Sequence, residues 1–146
     1  MTDVLTIEEC QEIIEYDHVW KDLNVTKWSG GTLKFKTADC DFWQKRYPYM
    51  LYGCVNRYEV GDYAQEHKDS NWKKKNPGFQ AMTVWITPLN DDYKGGELYF
   101  DGELIEQVIG VPVKYRKNVP HEITEVTEGT RYSLVSWVFS PNKSKK

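Results

Sequence analysis

Apolar and polar residues alternate over short segments along most of this 146-residue chain. A period of two is typical of β-strands that bury one face, because successive side chains point to opposite sides. Glycine, proline, asparagine and aspartate separate these segments and predict turns at 61–62, 90–96 and 101–102. The pattern predicts a mostly β fold, a sandwich or a barrel. The predicted strands are a short edge strand at 33–36, then 50–60, 63–67, 80–89, 97–100, short strands within 103–119 and 120–126, and 131–140.

One helix is predicted near the start of the chain. Thr6 and Glu9 have the spacing of a capping box, and Leu5 stands where a hydrophobic staple would pack. Apolar residues at helical spacing then predict a helix over 7–18, packed outside the β domain. His18 falls at its end, where the helix dipole favours a histidine, and we interpret it as a helix-end residue rather than a metal ligand.

Length and composition predict a single domain over residues 1–140, followed by a disordered tail at 141–146. The net charge is −3, so electrostatics gives no indication of a nucleic-acid partner. The three cysteines are far apart in the sequence and form no disulfide pattern, which predicts reduced thiols. Neither a signal peptide nor a transmembrane run is recognised, so we expect a cytoplasmic location and no membrane partner.

Candidate chemistry begins with His67 and Asp69, at the end of the predicted strand 63–67. Residues two apart on a strand point to the same side, so the imidazole and the carboxylate can face one cavity. His121 lies on another predicted strand. Two histidines and one carboxylate form the facial triad of non-haem Fe(II) oxygenases. A single His-x-Asp is a weak signal, however, because His67 could equally be a hydrogen-bonded surface residue and Asp69 a turn cap.

Arg131 adds a second candidate feature. It follows a predicted turn at 128–129, and antiparallel pairing across this turn would place it beside the strand of His121, deeper in the barrel. A buried guanidinium is costly unless an anion meets it, and its planar fork suits a carboxylate. Ser133 faces the same side and could donate a further hydrogen bond. The alternative is an arginine on the outer face, paired with a glutamate.

Residues around these positions are candidates for binding. Tyr58 and Tyr63 precede His67 on the predicted hairpin, and their hydroxyls could reach a polar ligand, although core filling is the commoner role of such tyrosines. The polar loop at 70–79, which contains Trp72, is a candidate for substrate contact.

Five stretches together resemble the prolyl-4-hydroxylase-like branch of the Fe(II)/2-oxoglutarate-dependent dioxygenases. They occur in the family's order and cover nearly all of residues 5–140, which makes the combination far more specific than any one motif. They are 5–14, 57–69 with its Arg-Tyr-x-x-Gly-Asp-Tyr-x-x-x-His-x-Asp, Gly-Gly-Glu-Leu-Tyr-Phe at 95–100, Pro-His-Glu-Ile-Thr-Glu-Val at 120–126, and 129–137 with Thr-Arg-Tyr-Ser. The stretch 111–118 departs from the pattern, since it lacks the family's apolar strand ending in phenylalanine.

The resemblance implies a double-stranded β-helix, or jelly roll, with a supporting N-terminal helix. It implies His67, Asp69 and His121 as iron ligands, Arg131 as the partner of the C5 carboxylate of 2-oxoglutarate, and Tyr58 as a further contact to this co-substrate. Ser133 would help Arg131 to anchor the same carboxylate. The implied cofactor is Fe(II), the co-substrates are 2-oxoglutarate and O2, and a role for ascorbate is also expected.

The expected reaction is hydroxylation of a prolyl residue in a peptide or protein, with release of succinate and CO2. The same chemistry on a free amino acid, another small molecule or a nucleobase is an alternative. A non-catalytic jelly-roll module that binds a metal or a sugar is another, although it has no need of a buried arginine near a ligand histidine. Histidine and aspartate also suit zinc, which leaves a metal-dependent hydrolase open.

Overall fold

The computed structural model describes residues 3–26, 30–40, 50–68, 79–116 and 118–141, without the side chains of 50–52, 79–82 and 139–141. Within these residues the chain forms one helix and twelve strands, which confirms the mostly β prediction. The elements are α1 Ile7–Glu15, β1 Lys21–Thr26, β2 Thr32–Asp39, β3 Met50–Tyr58, β4 Tyr63–His67, β5 Phe79–Pro88, β6 Tyr93–Gly95, β7 Leu98–Phe100, β8 Glu103–Ile105, β9 Val113–Arg116, β10 His121–Ile123, β11 Val126–Gly129 and β12 Arg131–Pro141.

Ten of the twelve described strands form one curled sheet, which makes the expected jelly roll. Its order is β8-β7-β10-β4-β2-β3-β12-β5-β9, β1 pairs with β2, and β6 and β11 form a separate pair. β2 joins the two halves, because residues 33–34 pair with β4 and residues 36–39 pair with β3. Strands from distant parts of the sequence therefore face one interior.

The helix supports one face of this sheet, as predicted. Both hydrogen bonds of the capping box form between Thr6 and Glu9. Leu5 and Cys10, the two staple positions, are buried in a core cluster that also contains Val55 of β3. No disulfide joins the three cysteines, all of which are buried.

The prediction that the helix extends to residue 18 is wrong. The helix ends at Glu15, because Tyr16 adopts an extended backbone with ψ 147°. His18 nevertheless caps the end of the helix. It is buried, and its Nε2 donates a hydrogen bond to the carbonyl oxygen of Ile13 at 2.6 Å. The last carbonyls of a helix have no partner within the helix, and a histidine there supplies one.

Several strand predictions need correction. β2 is longer than the predicted 33–36 and is not an edge strand, since it pairs on both sides. β1 was not predicted, and its mostly exposed side chains explain why no buried-face signal marked it. The predicted turn at 90–96 contains β6, which pairs with β11. The sheet also continues to Pro141, the first residue of the predicted tail, and 142–146 lie outside the described residues.

The predicted pairing of the His121 and Arg131 strands is also wrong. β10 pairs with β4 and β7, whereas β12 pairs with β3 and β5. The cause is β11, which lies between β10 and β12 in the sequence and pairs with β6. The expected turn at 128–129 falls within β11, and Gly129 has a positive φ of 74° just before β12 begins. His121 and Arg131 therefore line the same interior cavity from strands that are not neighbours.

Candidate functional site

Two histidines face each other on paired strands. His67 on β4 lies directly opposite His121 on β10, and the centroids of their rings are 4.3 Å apart. Both are buried, with exposed fractions of 7% and 4%. They line a cavity of about 360 Å³ inside the curled sheet. The residues with polar side chains that share this cavity include Tyr58, Tyr115, Arg131 and Ser133.

Backbone carbonyls orient both imidazoles in the same way. Nδ1 of His67 lies 2.7 Å from the carbonyl oxygen of Gln65, and Nδ1 of His121 lies 3.0 Å from that of Val119. A carbonyl only accepts, so each Nδ1 carries the hydrogen, and each neutral ring has its lone pair on Nε2. This is the arrangement in which histidines bind metals through Nε2. The orientation of both Nε2 atoms is thus set by hydrogen bonds to the backbone.

The third predicted ligand, Asp69, lies outside the described residues, as do Trp72 and the rest of the loop at 70–78. It directly follows Lys68, the residue after β4. Among the residues that the structure does describe, no three histidine, cysteine or acidic side chains cluster closely enough to hold a metal. The role of Asp69 therefore stays a prediction.

Arg131 is buried, with an exposed fraction of 1%, and its guanidinium reaches the same cavity. Its Nε donates to the Gly96 carbonyl oxygen at 3.1 Å, and one terminal nitrogen donates to Ser133 Oγ at 2.6 Å. The other donates to Oε1 of Gln107 at 2.6 Å. Three neutral acceptors thus hold the guanidinium in place.

The charge of Arg131 has no anion to balance it among the described side chains, where no carboxylate lies within ion-pair distance. A buried charge without a counter-ion is strongly unfavourable. A guanidinium has five N–H donors, and the three bonds above leave one on each terminal nitrogen. Two such donors form the fork that binds a carboxylate through both oxygens. The site is therefore built to receive an anion.

Of the two predicted tyrosines, only Tyr58 belongs to the described lining of the cavity. It lies opposite Arg131 in the pairing of β3 with β12, and the guanidinium carbon is 5.3 Å from the centroid of its ring. Tyr58 also stacks on Phe35, with the ring centroids 4.6 Å apart. Tyr63 is only half-buried and does not line this cavity in the described part of the chain.

Two residues of the site were missed from the sequence. Gln107 holds Arg131 from a segment between β8 and β9 that has no periodic pattern, so no local signal could have marked it. Tyr115 lines the cavity from β9, and its hydroxyl lies 3.3 Å from Nε2 of His121. The alternation of Val113, Lys114 and Tyr115 indicates only a strand.

Comparison with known proteins decides the family. The model of the 2OG-Fe(II) oxygenase superfamily matches residues 53–139, a range that contains every predicted site residue. The chain belongs to this superfamily. Membership implies Fe(II) as the cofactor and 2-oxoglutarate and O2 as the co-substrates. The role of ascorbate stays a prediction.

The curated relatives match only part of this chain. A PKHD-type hydroxylase of Alteromonas mediterranea is 31% identical over 97 residues, which are 60% of this chain and 42% of the relative. A PKHD-type hydroxylase of Idiomarina loihiensis is 29% identical over 59% of this chain and 41% of the relative. The chain thus spans less than half the length of these curated relatives.

Solved structures show the same fold. An oxidoreductase of the 2OG-Fe(II) oxygenase family from Burkholderia pseudomallei has a TM-score of 0.68 at 14% identity, over 90% of this chain and 79% of that one. A viral collagen prolyl hydroxylase from Paramecium bursaria Chlorella virus-1, solved with 2OG, has a TM-score of 0.65 at 15% identity, over 96% and 93%. A Pseudomonas putida prolyl-4-hydroxylase has a TM-score of 0.57 at 16% identity, over 91% and 83%.

The donors in the cavity fit the family's cofactors. Neutral imidazoles suit Fe(II), and both rings are held with Nδ1 protonated. A dicarboxylate fits beside them, because the buried guanidinium offers its fork without a described carboxylate partner. In the described part of the chain, no helix has the length and apolar character needed to cross a membrane.

Proposed function

We propose that this chain is an Fe(II)- and 2-oxoglutarate-dependent dioxygenase that hydroxylates a prolyl residue in a peptide or protein, as a prolyl 4-hydroxylase does. His67, Asp69 and His121 would hold the iron. Arg131 would bind the C5 carboxylate of 2-oxoglutarate, with Ser133 and Tyr58 beside it. Succinate and CO2 would be released with each hydroxylation.

The observation that carries this proposal is the buried guanidinium of Arg131 in the cavity that the two histidines line. A simple metal or sugar site gains nothing from such a charge, and a metal-dependent hydrolase has no need of a second anion site. A dicarboxylate that chelates a metal at one end and needs a counter-ion at the other explains both the paired histidines and the buried guanidinium. The non-catalytic alternatives leave Arg131 without a function.

The chain's own residues would divide the work in a definite way. His67 and His121 would bind the metal through Nε2, and the carbonyls of Gln65 and Val119 keep their rings in orientation. Arg131 fixes the far end of 2-oxoglutarate, so that the 2-oxo acid end points at the metal. Apolar side chains such as Ile86 and Ile123 line the cavity and exclude water. Bound Fe(II) supplies the activation of O2 and couples the decarboxylation of 2-oxoglutarate to hydroxylation of a C–H bond.

Two observations support a prolyl substrate in particular. The sequence resembles the prolyl-4-hydroxylase-like branch, and two structures of the same fold are named as prolyl hydroxylases. The structural likeness is at 15% and 16% identity and therefore supports the fold alone. The loop after β4, where we expect substrate contacts, lies outside the described residues.

Mass spectrometry tests the substrate. The purified protein is incubated with Fe(II), 2-oxoglutarate and O2 and with proline-containing peptides, and each peptide is examined for the gain of one oxygen atom. Peptides with alanine in place of proline, and the variant His67→Ala, serve as controls. We expect the proline-containing peptides to gain the oxygen atom with the wild-type protein, and no gain with the alanine peptides or with His67→Ala. Oxygen transfer to a free amino acid, a small molecule or a nucleobase, with none to any peptide, would refute the prolyl assignment while retaining the oxygenase.

A further inference from the structure

Tyr115 is a buried tyrosine in the cavity to which the reaction above gives no role. It lies on β9, where it pairs with Val84 of β5, and only 7% of its surface is exposed. Its ring packs against two aromatic rings, Phe100 at 4.8 Å and His121 at 4.7 Å between centroids, which also contact each other. These contacts keep the ring close to the iron-binding face of His121.

The hydroxyl of Tyr115 is aimed at the nitrogen that would bind the metal. It lies 3.3 Å from Nε2 of His121. Since Nδ1 of this histidine donates to the Val119 carbonyl, Nε2 of the neutral ring can only accept, and Tyr115 is the donor. Filling the core requires only the ring, so the position of the hydroxyl asks for a further explanation.

Metal binding would break this hydrogen bond, because a metal at Nε2 uses the lone pair that accepts it. The Tyr115 hydroxyl is then a donor next to the coordination sphere, held there by the contact of its ring with Phe100. The strongest acceptors in such a position are anionic oxygen atoms. The 2-oxo acid end of the co-substrate would bring such oxygens to the metal.

We propose that Tyr115 binds 2-oxoglutarate, by donating a hydrogen bond from its hydroxyl to a metal-bound oxygen at the 2-oxo acid end. This inference rests on the proposed function, in which His121 is a metal ligand. Arg131 would hold the C5 carboxylate and Tyr115 the opposite end, so the co-substrate is fixed at both ends. Tyr115 thereby exchanges one acceptor, His121 Nε2, for another when the site fills.

The variant Tyr115→Phe tests this, because it removes the hydroxyl and retains the ring. Two dissociation constants are measured without O2: that of Fe(II) with the metal-free protein, and that of 2-oxoglutarate with the Fe(II)-loaded protein. We expect 2-oxoglutarate to bind about tenfold more weakly, as for loss of a hydrogen bond to a charged group. Fe(II) alone should bind as well as in the wild type or a few-fold more tightly, because no hydrogen bond must be broken.

A second readout does not depend on affinity. The visible charge-transfer absorption of a 2-oxo acid chelated to Fe(II) should shift in Tyr115→Phe at saturating 2-oxoglutarate, because a donor to the chelate is lost. Tyr99→Phe is the matched control, since Tyr99 is on β7 beside β10 and does not line the cavity. It should leave both constants and the absorption unchanged.

Three outcomes would overturn the inference. One is 2-oxoglutarate affinity within twofold of the wild type, and another is an unshifted absorption. The third is an equal loss of Fe(II) and 2-oxoglutarate affinity, which would indicate a purely structural role for Tyr115. Failure of the proposed function is distinguishable, since the wild-type protein itself would then bind no 2-oxoglutarate on Fe(II).

Discussion

Replacing Gln107 with glutamate should block the anion site from within the protein. Oε1 of Gln107 accepts from Arg131 at 2.6 Å, and a glutamate has nearly the same shape, so the hydrogen bond can persist. The new carboxylate, however, gives the guanidinium the counter-ion that it lacks among the described residues. Gln107 and Gly96 also line a separate cleft of about 460 Å³, so the new charge would reach Arg131 from the side away from the histidines.

The size of the effect follows from Coulomb's law. Two carboxylates about 5 Å apart on one guanidinium repel each other by about 3 kcal/mol at an effective dielectric of about 20. This corresponds to a loss of roughly 150-fold in 2-oxoglutarate affinity. Because Gln107 is half-buried, solvent screens part of the repulsion, and we expect a loss of about 10- to 100-fold.

Isothermal titration calorimetry of 2-oxoglutarate into the metal-loaded protein, without O2, measures this loss. The thermal stability of the ligand-free Gln107→Glu protein should be equal to or above that of the wild type, because a buried charge becomes paired. The matched control is Gln65→Glu, which adds the same charge at an exposed glutamine whose Oε1 accepts from the Thr32 amide. Wild-type affinity in Gln107→Glu would refute the assignment of Arg131 as the anion site.

Three further predictions concern Arg131, its support and the helix. Arg131→Met should weaken 2-oxoglutarate binding at least 100-fold without lowering the melting temperature of the ligand-free protein, since it removes a buried charge that has no carboxylate partner among the described residues; a lower melting temperature together with unchanged binding would contradict this. Gly96→Ala should weaken 2-oxoglutarate binding several-fold and lower stability by about 1 kcal/mol in urea unfolding, because Gly96 has a φ of 62° and an added Cβ would lie 2.9 Å from Cδ of Arg131; unchanged affinity would contradict it. Burial, with a smaller contribution from the charge of Glu9, raises the pKa of the Cys10 thiol from 9.0 to about 11. Between these two pKa values the folded protein keeps this proton while the unfolded chain loses it. The free energy of unfolding should therefore fall as the pH rises from 9 to 11, and it should fall less in Cys10→Ala.

The parts of the fold that follow local rules were predictable from the sequence. The capping box of Thr6 and Glu9 starts the helix as expected, and β4 ends at His67 as predicted. The predicted hairpin turn at 101–102 joins β7 to β8. In each case the signal lies within a few neighbouring residues, and tertiary contacts are not needed to read it.

The remainder depends on which strands pair, and the sequence pattern does not contain that information. Arg131 pairs with Tyr58, and its strand does not adjoin that of His121, because β11 pairs elsewhere. Gln107 comes from an irregular segment and meets Arg131 only through the fold. Motif spacing was therefore enough to propose the candidate site residues, whereas the residues that contact and orient them could be identified only from the structure.

Turnover of 2-oxoglutarate tests the central claim most directly. The purified protein is incubated with Fe(II) and 2-oxoglutarate, with and without O2, and succinate is measured beside the variants His67→Ala and Asp69→Ala. We predict that succinate forms only when both Fe(II) and O2 are present, and that either substitution abolishes it. Folded, iron-loaded wild-type protein that neither binds 2-oxoglutarate nor forms succinate would contradict the account.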